Sequence, residues 1–324
     1  MEAFFNRVWA SRGPVAWLLW PLSLAFGALV SLRRSVYAWG CLSAQRLGVP
    51  VVVVGNVRVG GGGKSPTVLA LARHLTAQGW RVAVVSRGHG RRPDAPPVLL
   101  VVPGMSATET GDEPLMLAQS LADLSVPVCV GADRVQAARF VLHAHPDTQV
   151  IVCDDGLQHL ALARDVEVVV HSATGVGNGF LLPAGPLREP WPRQADAVLD
   201  TSTCRILADH ALTSTQQEIG LEELKQASVV AVAAIADPQT FFDMLRDKGL
   251  VPAQTHALPD HDDFSGWAAL RAGFPVDAVV LCTQKDAVKL WAIDPSVLAV
   301  PMRLNPAPAF FAIIDRKLAG FTPL

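Results

Sequence analysis

Short apolar runs alternate with amphipathic segments along the N-terminal part of the chain. The valine-rich runs predict strands that are buried in a parallel sheet. Apolar residues spaced three and four apart predict helices between these strands. The predicted strands lie at 51–54, 80–86, 126–130 and 149–155, with a further apolar run at 96–102, and the predicted helices lie at 68–75, 115–124 and 132–144. Such alternation is typical of a doubly wound α/β fold, whose ligands bind at the carboxyl ends of the strands.

A second α/β pattern follows a polar stretch at 201–217. Its predicted strands lie at 229–235 and 278–282, and its predicted helices at 241–248 and 286–291. The change in composition places a boundary between two lobes near residues 200–225. We therefore divide the chain into an apolar N-terminal segment (1–40), a first lobe (41–205) and a second lobe (206–324).

Residues 13–32 carry no charge and, as a helix, are long enough to cross a bilayer. A signal peptide is disfavoured because the segment ending at Ala38 is a poor cleavage site, and the same alanine disfavours lipid attachment at Cys41. Basic residues flank both ends, so charge gives a spanning helix no orientation. We expect a helix that lies in the membrane interface and bends at Pro21, with a spanning helix and a buried soluble helix as alternatives.

A glycine-rich loop joins the strand at 51–54 to the helix at 68–75 and ends in Lys64 and Ser65. Glycine lets backbone N–H groups approach phosphate oxygens, the helix N-terminus favours anions, and the lysine adds a positive charge. The strict pattern has glycine where Arg58 stands, so this P-loop is a variant. Ser65 would offer its hydroxyl to Mg²⁺. The predicted nucleotide-binding residues are Arg58, Val59, Gly60, Gly61, Gly62, Gly63, Lys64 and Ser65.

The predicted strand at 149–155 ends in two carboxylates, Asp154 and Asp155. Two carboxylates at a buried strand end repel each other unless a cation lies between them, which favours a Mg²⁺ site over a charged turn. Asp112 and Glu113 open a helix, and their alternative role is a simple helix cap. The predicted metal ligands are Ser65, Glu113, Asp154 and Asp155. Residues 260–264 also look like a helix start.

The composition excludes several other classes. A net charge of −2 over 324 residues argues against a nucleic-acid-binding protein, which would be basic. The five cysteines form no C-x-x-C pair, so a zinc site and a disulfide framework are disfavoured and a reducing compartment fits.

Taken together, seven motifs resemble the tetraacyldisaccharide 4′-kinase family of lipid A biosynthesis, in family order and over nearly the whole chain. The departures are small: Ser65 replaces threonine, His89 replaces tyrosine and Gln284 replaces glutamate, and none removes a group that the chemistry needs. The motifs are 55–56 with 59–61 and 63–66; 86–88 with 90–91; 111–114; 154–156 with 158–159; 182–189; 260–261 with Phe264; and Thr283 with 285–286.

The resemblance implies two doubly wound α/β lobes of P-loop NTPase type around a cleft. It implies ATP-dependent phosphorylation of the 4′-hydroxyl of a tetraacylated glucosamine disaccharide 1-phosphate, with ATP and Mg²⁺ as cofactors. The enzyme would act as a monomer on a lipid substrate, attached to the cytoplasmic face of a Gram-negative inner membrane. Asp112 and His261 would form the catalytic pair, assisted by Lys64. Candidate substrate contacts are Arg87, Arg91, Gln158, His159 and Arg188.

Three other functions stay open at this stage. Residues 283–286 are similar to a guanine-reading turn, which suggests a GTPase or metal-chaperone-like switch, although Gln284 replaces the expected lysine. A membrane-tethered scaffold would bind nucleotide without turnover. A soluble ATP-using ligase would leave the N-terminal helix without a purpose.

Overall fold

The computed structural model describes residues 2–60, 63–171 and 175–321. Its first sheet has the strand order β3-β4-β2-β5-β1-β6-β7, and each neighbouring pair is parallel except β3 with β4. The strands are β1 (Val51–Gly55), β2 (Val82–Ser86), β3 (Val98–Val101), β4 (Val128–Gly131), β5 (Val150–Asp154), β6 (Val166–His171) and β7 (Ala197–Asp200).

Helices cover both faces of this sheet, because successive residues of a buried strand point to opposite sides. Val52 and Val54 enter one core, whereas Val51 and Val53 enter the other. Fully burying each such valine contributes about 1.5–3 kcal/mol of transfer free energy. The helices up to this point in the chain are α1 (Glu2–Ala10), α2 (Pro14–Ala38), α3 (Lys64–Ala77), α4 (Ala107–Thr110), α5 (Asp112–Ser120) and α6 (Arg134–Ala144).

The second lobe is built on a sheet with the order β10-β9-β14-β13-β11-β12. A separate two-stranded ribbon pairs β8 with β15. The strands are β8 (Arg205–Leu207), β9 (His210–Leu212), β10 (Glu218–Gly220), β11 (Val229–Ala233), β12 (Gln254–Ala257), β13 (Val279–Thr283), β14 (Leu298–Val300) and β15 (Met302–Leu304). The helices are α7 (Pro238–Asp247), α8 (Trp267–Arg271), α9 (Gln284–Leu290) and α10 (Pro308–Leu318).

The C-terminal helix α10 returns to the first sheet. Phe310, Ile314 and Leu318 are buried in the same core as Val52, and His74 of α3 stacks on Phe311 with ring centroids 4.3 Å apart. Helix α10 therefore packs with the first sheet although it follows the second sheet in sequence, and the division into lobes at residues 205/206 stays a prediction.

The N-terminal helix α2 runs from Pro14 to Ala38 and continues through Pro21. The most apolar 18-residue stretch of α2 has a mean hydropathy of 1.9, and only 11% of it is buried. The core helix of a soluble protein would be mostly buried, so α2 is not such a helix. Ser23 ties α2 to the first lobe, because its hydroxyl donates to the carbonyl of Leu181 (2.8 Å) and accepts from the amide of Ala184 (3.0 Å). The remaining surface of the helix exposes leucines and tryptophans.

The helix start predicted at residues 260–264 is wrong. His261 and Phe264 have φ angles of 63° and 57°, in the left-handed region that interrupts a helix. Helix α8 therefore begins at Trp267, and 260–264 form a turn that directs His261 toward the first lobe.

Candidate active site

The P-loop connects β1 to the N-terminus of α3. Gly63 adopts a φ of 83° before Lys64, and a Cβ there would lie 2.8 Å from Cγ2 of Thr201, so the position requires glycine. The side chain of Asn56 donates to the carbonyl of Gly60 (3.1 Å) and closes the loop from inside. The predicted phosphate ligands Gly61 and Gly62 lie outside the described residues.

The other predicted nucleotide-binding residues surround this loop. Lys64 Nζ lies 3.7 Å from Asp155 Oδ1, and Ser65 is buried in the first turn of α3. The amide of Val59 donates to Pro186, and the carbonyl of Arg58 accepts from Arg188. Arg58 and Val59 thus hold the P-loop against residues 186–188.

Asp154 lies at the carboxyl end of β5 and is completely buried. One of its oxygens, Oδ2, accepts a hydrogen bond from Ser86 (3.1 Å), whereas Oδ1 has no hydrogen-bond partner among the described residues. Burial, followed by the charges of Glu113 and Asp155, raises the pKa of Asp154 to about 7, against the opposing charge of Lys64. A buried, unpartnered carboxylate oxygen beside a P-loop fits a divalent cation.

The pKa of Asp155 is lowered, in contrast to that of Asp154. Its φ is 49°, and its carboxylate lies 3.7 Å from Lys64 and 3.3 Å from Arg188. Burial opposes its ionisation, but the charges of Lys64 and Arg188 outweigh burial and lower its pKa. In the described ranges, no group of three or more His, Cys, Asp or Glu side chains is arranged to hold a metal. A Mg²⁺ site built from one or two carboxylates and nucleotide phosphates is consistent with that finding.

Asp112 and His261 meet between the two lobes. Asp112 is the first residue of α5 and is buried, and its Oδ2 lies 2.9 Å from Nδ1 of His261. Lys289 Nζ lies 3.2 Å from the same Oδ2. Burial opposes ionisation of Asp112, but the His261 hydrogen bond and the charges of Lys285 and Lys289 prevail and hold its pKa far below the usual range.

Lys285 is a further site residue, and although it falls within a matched motif, no role was predicted for it. Its side chain is 16% exposed, and its Nζ lies 3.0 Å from Asp260, 3.2 Å from Nε2 of His261 and 3.7 Å from Glu113. Burial opposes its charge, but Glu113, Asp260 and Asp112 together raise its pKa. The apolar context of β13 gave no sign that α9 faces the first lobe.

Three of the predicted substrate contacts, Arg188, Gln158 and His159, contact other residues of the first lobe near the P-loop. Arg188 donates to Asn56 (2.5 Å), to both oxygens of Asp155 and to Gln158 (3.2 Å). Gln158 in turn donates to Glu189 (2.7 Å). His159 lies 3.6 Å from Asp133, its Nε2 has no hydrogen-bond partner in the part of the chain that the structure describes, and burial lowers its pKa.

Arg87 and Arg91 line a separate pocket at the carboxyl end of β2, together with Arg92. The guanidinium of Arg91 donates to the carbonyls of Glu109 (2.8 Å) and Pro96 (2.6 Å), so it also supports the loop that leads to Asp112. A Cβ on Gly111 would lie 2.7 Å from the carbonyl oxygen of His89. The loop that lines the pocket therefore packs directly against the start of α5.

A P-loop, a buried aspartate at the neighbouring strand end and a carboxylate–histidine pair between two lobes define a phosphotransferase of the P-loop class. The model of the family described as Tetraacyldisaccharide-1-P 4'-kinase matches residues 15–319. The chain belongs to this family.

Individual relatives agree with this assignment. The chain is 50% identical to the tetraacyldisaccharide 4'-kinase of Acidovorax sp. (strain JS42), over 97% of this chain and 94% of the relative. It is 48% identical to that of Polaromonas naphthalenivorans (strain CJ2), over 100% of this chain and 96% of the relative. Among solved structures, LpxK from Aquifex aeolicus in complex with ATP matches with a TM-score of 0.80 at 29% identity, covering 95% of this chain and 100% of that chain.

These matches confirm the predicted family, the predicted α/β fold with its apolar N-terminal helix, and the prediction of a kinase of lipid A biosynthesis. They therefore favour the kinase over the three alternative functions, which were a GTPase switch, a nucleotide-binding scaffold and a ligase.

Proposed function

We propose that this chain transfers the γ-phosphoryl group of Mg²⁺-ATP to the 4′-hydroxyl of a tetraacylated glucosamine disaccharide 1-phosphate at a membrane surface. The observation that carries the proposal is the Asp112–His261 pair between the lobes, next to Glu113, whose charge acts on Asp154 at the end of β5. ATP is the nucleotide bound to the Aquifex aeolicus neighbour, which supports the same cofactor here.

The P-loop would bind the phosphates of the nucleotide. Backbone amides near Gly60 and Gly63 and the N-terminus of α3 provide hydrogen-bond donors, and Lys64 places a positive charge beside them. Lys64 is already close to Asp155, so the phosphate would meet an ammonium group that is fixed in place. Arg58 and Val59 would keep the loop closed through their contacts with residues 186–188.

Ser65, Asp154 and either Glu113 or Asp155 would hold Mg²⁺. The unpartnered Oδ1 of Asp154 supplies the strongest support for a ligand there. When bound, Mg²⁺ neutralises charge that develops on the transferring phosphoryl group.

Asp112 would accept the proton of the sugar hydroxyl. Its low pKa makes it a weak base. A weak base suffices for a loose phosphoryl transition state, in which the hydroxyl becomes acidic as its oxygen bonds to phosphorus. His261 would orient the carboxylate through its hydrogen bond. Arg87 and Arg91 would contact anionic parts of the acceptor, whereas Gln158, His159 and Arg188 would support the nucleotide side.

The lipid substrate requires the enzyme to work at a bilayer. Each buried CH₂ of an acyl chain contributes about 0.8 kcal/mol, so a four-chain lipid stays in the membrane. Helix α2 exposes an apolar surface and is attached to the first lobe, which supports a peripheral or monotopic position on the cytoplasmic face of the inner membrane. Both members of the catalytic pair come from one chain, so a monomer would contain the complete pair.

Purified protein incubated with Mg²⁺-ATP and the disaccharide 1-phosphate lipid in mixed micelles tests the proposal. Mass spectrometry should detect one added phosphate at the 4′ position, and the Asp112→Asn variant should form this product about 10²–10⁴-fold more slowly. Wild-type protein that binds ATP and leaves the lipid unmodified would contradict the proposal.

A further inference from the structure

The imidazole of His261 is held between a carboxylate and an ammonium group. Its Nδ1 lies 2.9 Å from Oδ2 of Asp112, and its Nε2 lies 3.2 Å from Nζ of Lys285. An ionised carboxylate can only accept a hydrogen bond, and an ammonium group can only donate one. The imidazole that satisfies both partners is neutral, with its proton on Nδ1 and its lone pair on Nε2.

The other forms of the ring do not fit these contacts. A proton on Nε2 would point at the protons of Lys285. The alternative acceptor for such a proton, Oδ1 of Asp260, lies 3.9 Å away, which is too far for a hydrogen bond, and already accepts from Lys285 at 3.0 Å. The hydrogen bond with Asp112 raises the pKa of His261 above its usual value, although burial and the charge of Lys285 oppose this shift, so the neutral tautomer is best observed at alkaline pH.

Lys285 is itself fixed in position. Its partly buried side chain lies between Asp260 and Glu113, and the residue belongs to the first turn of α9. That turn is held by Asp286, whose Oδ2 accepts from the amide of Ala234 (3.0 Å) and from the hydroxyl of Thr283 (2.7 Å). The ammonium group is therefore presented to His261 by a rigid part of the second lobe.

We propose that Lys285 is a positioning residue that holds His261 in the neutral Nδ1–H tautomer, so that Nδ1 donates to Asp112 and orients its carboxylate toward the acceptor hydroxyl. Which ring nitrogen of a histidine carries the proton is generally set by the hydrogen bond that the second ring nitrogen makes. This inference rests on the proposed role of Asp112 as the base.

The proton balance of the step leaves Lys285 unchanged. The hydroxyl proton passes to Asp112 while the sugar oxygen bonds to the γ-phosphorus and the bond to the β-phosphate oxygen of ADP breaks. The Nδ1 proton stays on His261, and Lys285 keeps its three protons.

Lys289 provides an internal comparison. Its Nζ contacts Oδ2 of Asp112 (3.2 Å) and donates to the carbonyls of His261 (3.3 Å) and Asp262 (3.0 Å). These contacts hold the left-handed turn at His261 and do not involve Nε2. Replacing Lys289 should therefore raise the pKa of Asp112, whereas Lys285 keeps its contact with Nε2 and the tautomer stays unchanged.

The tautomer can be measured directly by NMR with selectively ¹⁵N-labelled histidine, at alkaline pH. The His261→Asn variant assigns the signals of the ring. The wild-type ring should show the Nδ1–H pattern, and Lys285→Met, which removes the donor but keeps a side chain of similar length, should shift the ring toward Nε2–H. Lys289→Met should keep the wild-type pattern, as should the surface variant Lys225→Met, which removes an ammonium group paired with Glu222.

Kinetics separate positioning from substrate binding. Lys285→Met should lower kcat by about 10–100-fold, by analogy with the loss of the residue that orients a metal-bound histidine. The KM values for ATP and lipid should stay within about twofold, because Lys285 acts through His261. Lys285→Arg, which restores a charged donor, should recover most of kcat.

Three results would overturn the proposal. They are a wild-type ring in the Nε2–H form, an unchanged tautomer in Lys285→Met, and a loss of activity in Lys285→Met that comes from a raised KM for ATP and not from a lower kcat. The wild-type spectrum and Lys285→Arg decide the matter even where Lys285→Met does not fold. The spectra need no turnover, so a protein with the expected tautomer that leaves the lipid unmodified would contradict the proposed function and not the tautomer.

Discussion

Asp112 accepts a 2.9 Å hydrogen bond from Nδ1 of His261, a residue 149 positions further along the chain and in the other lobe. The contact joins the first turn of α5 to a left-handed turn before α8. Any motion that opens the lobes breaks it, so the proposed base is oriented when the lobes are together.

We expect Asp112→Asn to lower kcat by about 10²–10⁴-fold, the usual contribution of general-base catalysis. ATP affinity, measured by calorimetry, should be close to that of the wild type, because Asp112 belongs to α5 and not to the P-loop. Asp243→Asn, on the exposed face of α7, is a matched control. Full turnover by Asp112→Asn would remove this residue from the role of base.

Lys64→Met should be more damaging than Asp112→Asn. Lys64 supplies charge at the point where the transition state gains it, and such electrostatic stabilisation is usually the largest contribution to catalysis. The variant should also leave Asp155 with Arg188 as its remaining cationic contact at this site. Initial rates at saturating ATP measure the effect, and a smaller loss than that of Asp112→Asn would contradict this ranking.

Asp154→Asn should stabilise the nucleotide-free protein while abolishing turnover. Burial raises the pKa of Asp154 to about 7, whereas an aspartate in an unfolded chain titrates near about 4. The folded state therefore binds more protons between these values, so the contribution of Asp154 to stability falls as pH rises through this window. Asparagine cannot ionise and avoids this loss.

Thermal unfolding in EDTA, between about pH 5 and about pH 8, measures this difference. The excess Tm of Asp154→Asn over wild type should grow as pH rises. Addition of Mg²⁺-ATP should raise the Tm of the wild type more than that of the variant. A Tm difference that is the same at every pH would show that Asp154 is not destabilised by its charge.

The parts of the site that the sequence predicted are those whose chemistry is local. The strand, the P-loop and the start of α3 follow one another from Val51 to Lys64, so propensity and glycine chemistry were sufficient to identify them. Asp154 was predicted for the same reason, since it ends an apolar strand.

The parts that needed the structure depend on contacts between distant segments. Nothing in the residues around Lys285 indicates that α9 faces α5, and periodicity could not reveal that α10 returns to the first sheet. The turn at His261 was predicted to begin a helix because its Asp-rich composition resembles a cap, whereas two left-handed residues prevent one there. The pairing of Asp112 with His261 was expected from the family resemblance and not from spacing.

The exposed leucines of α2 give a test of membrane attachment that leaves the catalytic lobes intact. Deleting residues 1–32 should lower activity on lipid in bilayers, but it would also remove Ser23, which holds residues 181–184. Leu18 and Leu29 are 79% and 66% exposed, so replacing them disturbs little of the fold. Full burial of a leucine side chain contributes about 1.5–3 kcal/mol, so each Leu→Ser change should weaken partitioning into vesicles by about tenfold or more.

Sedimentation with anionic phospholipid vesicles measures this partitioning. Activity of the double variant Leu18→Ser, Leu29→Ser should fall on lipid in vesicles and should be retained in detergent micelles, where the substrate reaches the cleft without an anchored enzyme. Val276→Ser is the control, because this valine is fully exposed on the second lobe and far in sequence from α2. Partitioning that is equal in the double variant, the control and the wild type would show that α2 is not the element that binds the bilayer.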